Sequence, residues 1–253
     1  MSSGRIAKLV RVSNYKYLQL LGIRFINESV DRCVEITREG GLLVVPSGPG
    51  LAGMEKDPSY KAAVQGATFA LADSGYMVLL YRILKQVSVK RISGLNYISR
   101  LIEAPFFKKA NVLWVMPREN EVEAAKNYLK HKGIDIENSR FIIAPLYAPS
   151  GNIEDASLLE QIETHKPEWV VLNIAGGIQE KLGFYLHSNL SYNPTIICTG
   201  AAIAFLSGAQ TRIPPWADRL YLGWLLRIIS SPRKYLKRYL SAFRLFFYVL
   251  LQA

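Results

Sequence analysis

The chain has 253 residues, half of them apolar and 20% charged, which suits a globular protein and excludes a disordered or collagen-like one. Its two cysteines, Cys33 and Cys198, are too few for a disulfide scaffold and lack metal-site spacing. The 31 Lys/Arg against 20 Asp/Glu give a net charge of +11, with eight basic residues and one acidic residue from Gly200 onward. A basic end of that kind calls for an anionic partner: nucleic acid, phospholipid or a phosphorylated substrate.

In chain order, the N-terminal stretch is interrupted by Arg5, Lys8, Arg11 and Lys16, so no signal-peptide apolar core forms. No run of about 18 uncharged apolar residues follows, so no spanning helix is expected. The protein is expected in the cytoplasm. Apolar strand-like runs stand at 42–46, 69–72, 87–92, 112–116, 140–144, 169–174 and 195–198, and amphipathic helix-like stretches at 28–39, 120–132, 156–165 and 179–189. Apolar runs buried on both faces and alternating with helices predict an α/β fold, a mainly parallel Rossmann-like sheet covered by helices. The polar stretch 145–154 reads as a loop. After Gly208 the pattern changes, dividing the chain into an α/β core at 1–208 and a helical basic appendage at 209–253.

In the last stretch Lys234, Lys237, Arg238, Ser241 and Arg244 recur at helical steps, with Leu236, Tyr239, Leu240, Phe243, Phe246, Phe247, Leu250 and Leu251 between them. A basic, aromatic-rich amphipathic helix can lie in a lipid headgroup layer. Packing on its own domain or on a sister subunit, as a homo-oligomer, satisfies the same pattern.

Gly48, Gly50 and Gly53 spell G-x-G-x-x-G after a strand-like run, and Asp73 follows at the distance of a ribose-binding acid. Pro49 removes a backbone N–H that a phosphate would use, and Asp57-Pro58 stops a helix from running on directly, so a dinucleotide site is disfavoured. A sugar-nucleotide site at the same end of the sheet remains, because ligands collect at the carboxyl ends of parallel strands. Asp73, at a strand end before Ser74-Gly75, is a candidate general base; a helix N-cap is the other reading. Gln179-Glu180 opens a helix after Gly176-Gly177, where a glutamine amide can meet a sugar or diphosphate oxygen; an ordinary strand-to-helix turn with Glu180 on the helix dipole fits as well. His131, His165 and His187 lack ligand-spaced neighbours, so no metal site is expected. No serine sits in a nucleophile elbow.

These pieces fall into one family's order. Gly200-Ala-Ala, Phe205, Gly208, Arg212-Ile-Pro-Pro-Trp216, Leu222-Gly-Trp224-Leu-Leu-Arg227 and the run from Pro232 to Tyr239 resemble the end of the WecG/TagA/CpsF glycosyltransferases. Gln179-Glu180 resembles that family's Pro-Lys-Gln-Glu, Asp73-Ser-Gly75 its Asp-Gly turn, and Arg91-Ile-Ser-Gly94-Leu-Asn96 its Arg-x-x-Gly-x-Asp. The resemblance implies an inverting, metal-independent transferase without a cofactor. Its donor would be a UDP-sugar, often of N-acetylmannosamine type, and its acceptor a polyprenyl-diphosphate-linked sugar. The work would be done at the inner face of the bacterial plasma membrane in cell-wall or surface polysaccharide assembly. It further implies Asp73 as catalytic base, and Ser47, Gln179, Arg227, Lys234 and Lys237 as substrate-binding residues, the cations neutralising the leaving diphosphate. Departures stand beside it: Ala175-Gly-Gly-Ile178 before Gln179, Ile203-Ala-Phe205 for Phe-Asp-Phe, Gly223 for Glu, Asn96 for Asp, and lysines for two arginines. They motivate a second reading, a degenerate member that binds a sugar nucleotide or lipid-linked intermediate without transfer. Nucleic-acid binding rests on charge alone and is ranked last.

Overall fold

The computed structural model describes residues 9–12, 15–210 and 240–251. The chain opens with an antiparallel meander, β1 (Leu9–Val12), β2 (Tyr15–Leu20) and β3 (Ile23–Ile26). Helix α1 (Val30–Ile36) precedes β4 (Gly41–Val44), α2 (Gly48–Gly53) and α3 (Pro58–Gly66). Then come β5 (Phe69–Ala70), α4 (Gly75–Leu84), α5 (Gly94–Glu103), β6 (Val112–Met116), α6 (Glu119–His131) and β7 (Ser139–Ile143). The rest is α7 (Ala156–His165), β8 (Trp169–Leu172), α8 (Ile178–Asn189), β9 (Thr195–Cys198), α9 (Ala202–Ser207) and, after the undescribed stretch, α10 (Arg244–Leu251).

The strands form one nine-stranded sheet in the order β1-β2-β3-β5-β4-β9-β8-β6-β7. All neighbours from β3 to β7 run parallel. The predicted α/β class is therefore the observed one. Strands β4, β6, β8 and β9 are buried along their whole length, because helices cover both faces of a parallel sheet. On one face Leu42, Val44, Val170, Leu172, Ile196 and Cys198 meet side chains of α2, α3, α4, α7, α8 and α10. On the other, Leu43, Trp114, Val171 and Ile197 meet α1, α5, α6 and α9.

The structure departs from the expected elements in two places. The N-terminal stretch, where no strand was expected, forms the β1–β3 meander, with Leu18, Leu20, Ile23 and Phe25 buried at alternate positions on either side of a tight turn. That turn places Leu21 and Gly22 at φ 54° and 77°, the left-handed backbone a two-residue hairpin of matching twist requires. A Cβ on Gly22 would also lie 2.4 Å from Gln65 Nε2. Conversely, the strand expected at 87–92 reduces to a single bridge between Arg91 and Ala72. The Asn27 side chain takes the place of a partner strand there, accepting from Lys90 N at 2.7 Å and donating to the Ser88 carbonyl at 3.2 Å.

The break expected at Asp57-Pro58 is present. Helix α2 runs into one 3-10 turn at Met54–Lys56, and Asp57 caps α3, with Pro58 in its first turn. Among the described residues no helix is long and apolar enough to cross a membrane, and no group of three His, Cys, Asp or Glu could hold a metal ion.

Candidate active site

The loops leaving β5, β4, β9 and β8 lie side by side at the carboxyl edge of the sheet. Each of these loops leads directly into a helix, so backbone N–H groups and short side chains converge there. Ser47 ends the β4 loop as the N-cap of α2, its Oγ accepting from Gly50 N at 3.3 Å. Gly177, at φ 90°, begins α8. Between them opens a cleft of about 180 Å³ lined by Ser47, Gly50, Asp57, Gly176, Gly177 and Glu180, among others. Pockets that enclose a whole ligand are roughly 300–1,000 Å³. This one suits a single sugar ring or phosphate group, with the rest of a substrate outside it.

Asp73 ends the β5 loop. It is not the helix N-cap: Ser74, one residue on, fills that role by accepting from Met77 N at 3.2 Å. The Asp73 side chain is one-third exposed and faces Arg91, itself 17% exposed, whose guanidinium lies 3.9 Å from Oδ1. Arg91 Nε also donates to the Asp73 carbonyl at 2.9 Å. The bridge to Ala72 holds Arg91 in that position. A Cβ on Gly48 would sit 2.8 Å from Ser74 Oγ, so the starts of α2 and α4 abut, and Ser47 and Asp73 belong to one neighbourhood.

Gln179 is buried, 4% exposed, and its amide turns inward. Its Oε1 accepts from Gly200 N at 2.7 Å and its Nε2 donates to Glu180 Oε1 at 3.2 Å. Glu180 Oε2 in turn accepts from Gly177 N at 2.6 Å. Gln179 therefore ties the β8 and β9 loops together beneath the cleft and presents Glu180 to it. Arg227, Lys234 and Lys237 lie outside the described residues. The end of the appendage is described: α10 buries Leu245 and Val249 in the core formed with α2 and α4, the helices that follow Ser47 and Asp73.

Sequence reasoning read Arg91 only as part of a family-like motif and Asp57 only as part of a helix break, and gave Lys181 no role. Lys181 Nζ is buried and reaches Asp57 Oδ2 at 3.3 Å and the Pro149 carbonyl at 3.1 Å, while Asp57 Oδ1 caps α3 through Tyr60 N at 3.0 Å. One ammonium thus pins α8 to α3 and to the 145–154 loop at the rim of the cleft. No local spacing announces this, since Lys181 and Asp57 are 124 positions apart. Both cysteines are free and buried, and burial pushes the Cys33 thiol up to about 12 and raises that of Cys198 well above its ordinary value, which disfavours the reactive thiolate.

A mainly parallel sheet with a glycine-lined cleft and an Arg-held carboxylate at its strand ends has the layout of an α/β protein with a candidate ligand site at the edge where ligands of such sheets collect. The family model of the WecG/TagA/CpsF glycosyl transferases matches residues 18–253, and the chain belongs to that family; it is a glycosyltransferase. Two relatives are named as N-acetylglucosaminyldiphosphoundecaprenol N-acetyl-β-D-mannosaminyltransferases. The one from Bacillus subtilis is 24% identical over 189 residues, covering 74% of this chain and 70% of its own. The one from Bacillus spizizenii is 23% identical over 206 residues, covering 79% and 76%.

Proposed function

We propose that the protein transfers a sugar of N-acetylmannosamine type from a UDP-sugar to a polyprenyl-diphosphate-linked N-acetylglucosamine, for a bacterial cell-wall or surface polysaccharide. Support comes from the relatives, whose names specify this acceptor and this sugar, and from one observation above all: a one-third exposed Asp73 carboxylate at the end of β5. In this reading Asp73 takes the proton from the acceptor hydroxyl as that oxygen bonds to the anomeric carbon. The bond to the UDP oxygen breaks on the opposite side, and the single displacement inverts the anomeric centre. Ser47 and the cleft hold part of the donor. Arg227, Lys234 and Lys237, in the family's order, neutralise the diphosphate as it gains charge, without a metal. The appendage at 209–253 closes over the site; the seating of α10 on α2 and α4 supports this.

The same reading makes the protein peripheral on the cytoplasmic face of the membrane, where a polyprenyl acceptor is embedded, with the basic appendage meeting anionic lipid. Deleting residues 232–253 should release it from anionic vesicles; equal flotation of the shortened chain would refute the tail's role. The reaction itself is tested by supplying a panel of UDP-sugars and a short-chain polyprenyl-diphosphate N-acetylglucosamine. UDP release with a disaccharide product is expected.

The alternative, binding without transfer, is favoured by the inward turn of the Gln179 amide onto Gly200 and Glu180. UDP-sugar binding with no product across that panel would establish it.

A further inference from the structure

Helix α10 is apolar on two faces. Leu245 and Val249 are completely buried, while Phe243, Phe247 and Leu250 stand 62%, 59% and 49% exposed on the opposite side. Phe243 ends the 3-10 turn Ser241–Phe243 that leads into α10, and Phe247 and Leu250 follow it at steps of four and three, so the three form one outward stripe. A second such stripe belongs to the core: Leu79 and Ile83 on α4 are 51% and 65% exposed, four positions apart. The two helices lie alongside, start to start and end to end. The Tyr76 ring packs edge-on against Phe243 at 5.9 Å, and Lys85, just past α4, donates to the Leu250 carbonyl at 3.4 Å. Exposed Arg82 and Arg244 flank the stripes.

We propose that α4 and α10 together form the lipid-docking face of the protein, with α4 supplying half of it from within the α/β core. This rests on the membrane reading above and extends it from the tail to a core helix. The occupant is an anionic bilayer surface. Large side chains exposed in a contiguous patch mark an interaction face, and arginines at the flanks of phenylalanine and leucine fit phosphate headgroups above acyl chains. The relatives' acceptor is undecaprenol-linked, hence lipid-borne. The placement has a consequence for the reaction. Asp73 stands at the head of α4, and a ten-residue helix spans about 15 Å. The base and the lipid-facing stripe are therefore within reach of one membrane-bound sugar diphosphate.

The test is flotation of the full-length protein with vesicles of phosphatidylglycerol and phosphatidylethanolamine, beside phosphatidylcholine alone, with circular dichroism and elution volume recorded for each variant. The wild type should float with the anionic vesicles and less so at high salt. The double variant Leu79→Ser/Ile83→Ser should stay folded and lose about tenfold or more in bound fraction, and Arg82→Glu should weaken binding to anionic but not to neutral vesicles. If Leu79→Ser/Ile83→Ser floats like the wild type while Phe243→Ser/Phe247→Ser does not, α4 is no lipid contact and only the tail reading survives. A wild type that fails to float overturns both. A Leu79→Ser/Ile83→Ser variant that changes from dimer to monomer with vesicle binding intact would make this face a contact between copies and overturn the proposal.

Discussion

At the scale of single residues, the proposed chemistry turns on how Asp73 is held. Arg91 grips both its carbonyl and its carboxylate, so Arg91→Gln should lower kcat with little change in the affinity for UDP. Arg91→Lys should recover only part of that loss, because an ammonium lacks the guanidinium's spread of donors. Single-turnover kinetics beside UDP binding separates the two effects. The buried ion pair gives an asymmetric expectation. Asp57→Ala would strand the Lys181 ammonium and remove the α3 cap, and is expected to destabilise by about 3–5 kcal/mol. Lys181→Met leaves only a one-third exposed carboxylate behind and should be clearly milder; denaturant midpoints decide it. Asp73 and Gln179 could be picked out from the sequence because each sits beside glycines at the end of an apolar run. Arg91 stood out only as the first residue of a family-like motif; its hold on Asp73 was not legible, because it depends on a single bridge to Ala72 across the β5 loop. The inward turn of the Gln179 amide was likewise invisible, since its partner is a backbone N–H contributed by another strand's loop.

At the scale of elements, legibility followed burial. Strands covered on both faces are continuous apolar runs, and the expected 112–116 and 195–198 match β6 and β9 residue for residue. The amphipathic stretch 156–165 likewise matches α7. Strands β2 and β3 bury Leu18, Leu20, Ile23 and Phe25 with exposed Gln19 and Arg24 between them, and their turn is Leu-Gly rather than the usual Asn-Gly signal. The run at 87–92 has a strand's composition but finds a side chain, Asn27, where a strand would be. Helix α10 has the same character: its inner contact residues, Leu245 and Val249, were hidden among other apolar positions. Leu245→Ala should therefore destabilise by about 2–5 kcal/mol, whereas Phe247→Ser, on the exposed face, should leave the unfolding midpoint nearly unchanged. The α7 end offers a pH signature. Glu163 accepts from Ser191 N and Oγ and from Lys166, which lowers its carboxyl from the ordinary 4.5 to about 2. Its contribution is present above the ordinary value and is lost as pH falls through about 2. A carbon-detected titration should find this carboxyl still ionised at pH 3, below its ordinary value.

At the scale of the whole molecule, the sheet, the appendage and the membrane reading converge on one edge. Ser47, Asp73 and the cleft lie at the carboxyl ends of β4, β5 and β8, and α10 returns from the far end of the chain to pack on α2 and α4 behind them. The excess of charge after Gly200 thus belongs to a segment that ends beside the site. Its proposed division assigns Arg227, Lys234 and Lys237 to the donor diphosphate on the family's order, and Arg244 to headgroups on its exposed place on α10. The central claim is that Asp73 is the base of a sugar transfer to a lipid-linked acceptor. Its most direct test is the rate of UDP release by wild type and Asp73→Ala with UDP-N-acetylmannosamine and a short-chain polyprenyl-diphosphate N-acetylglucosamine, with UDP affinity measured alongside. Transfer by the wild type, and a loss of ~10²–10⁴-fold in the variant with UDP affinity retained, is the predicted result. Undiminished turnover by Asp73→Ala would contradict it.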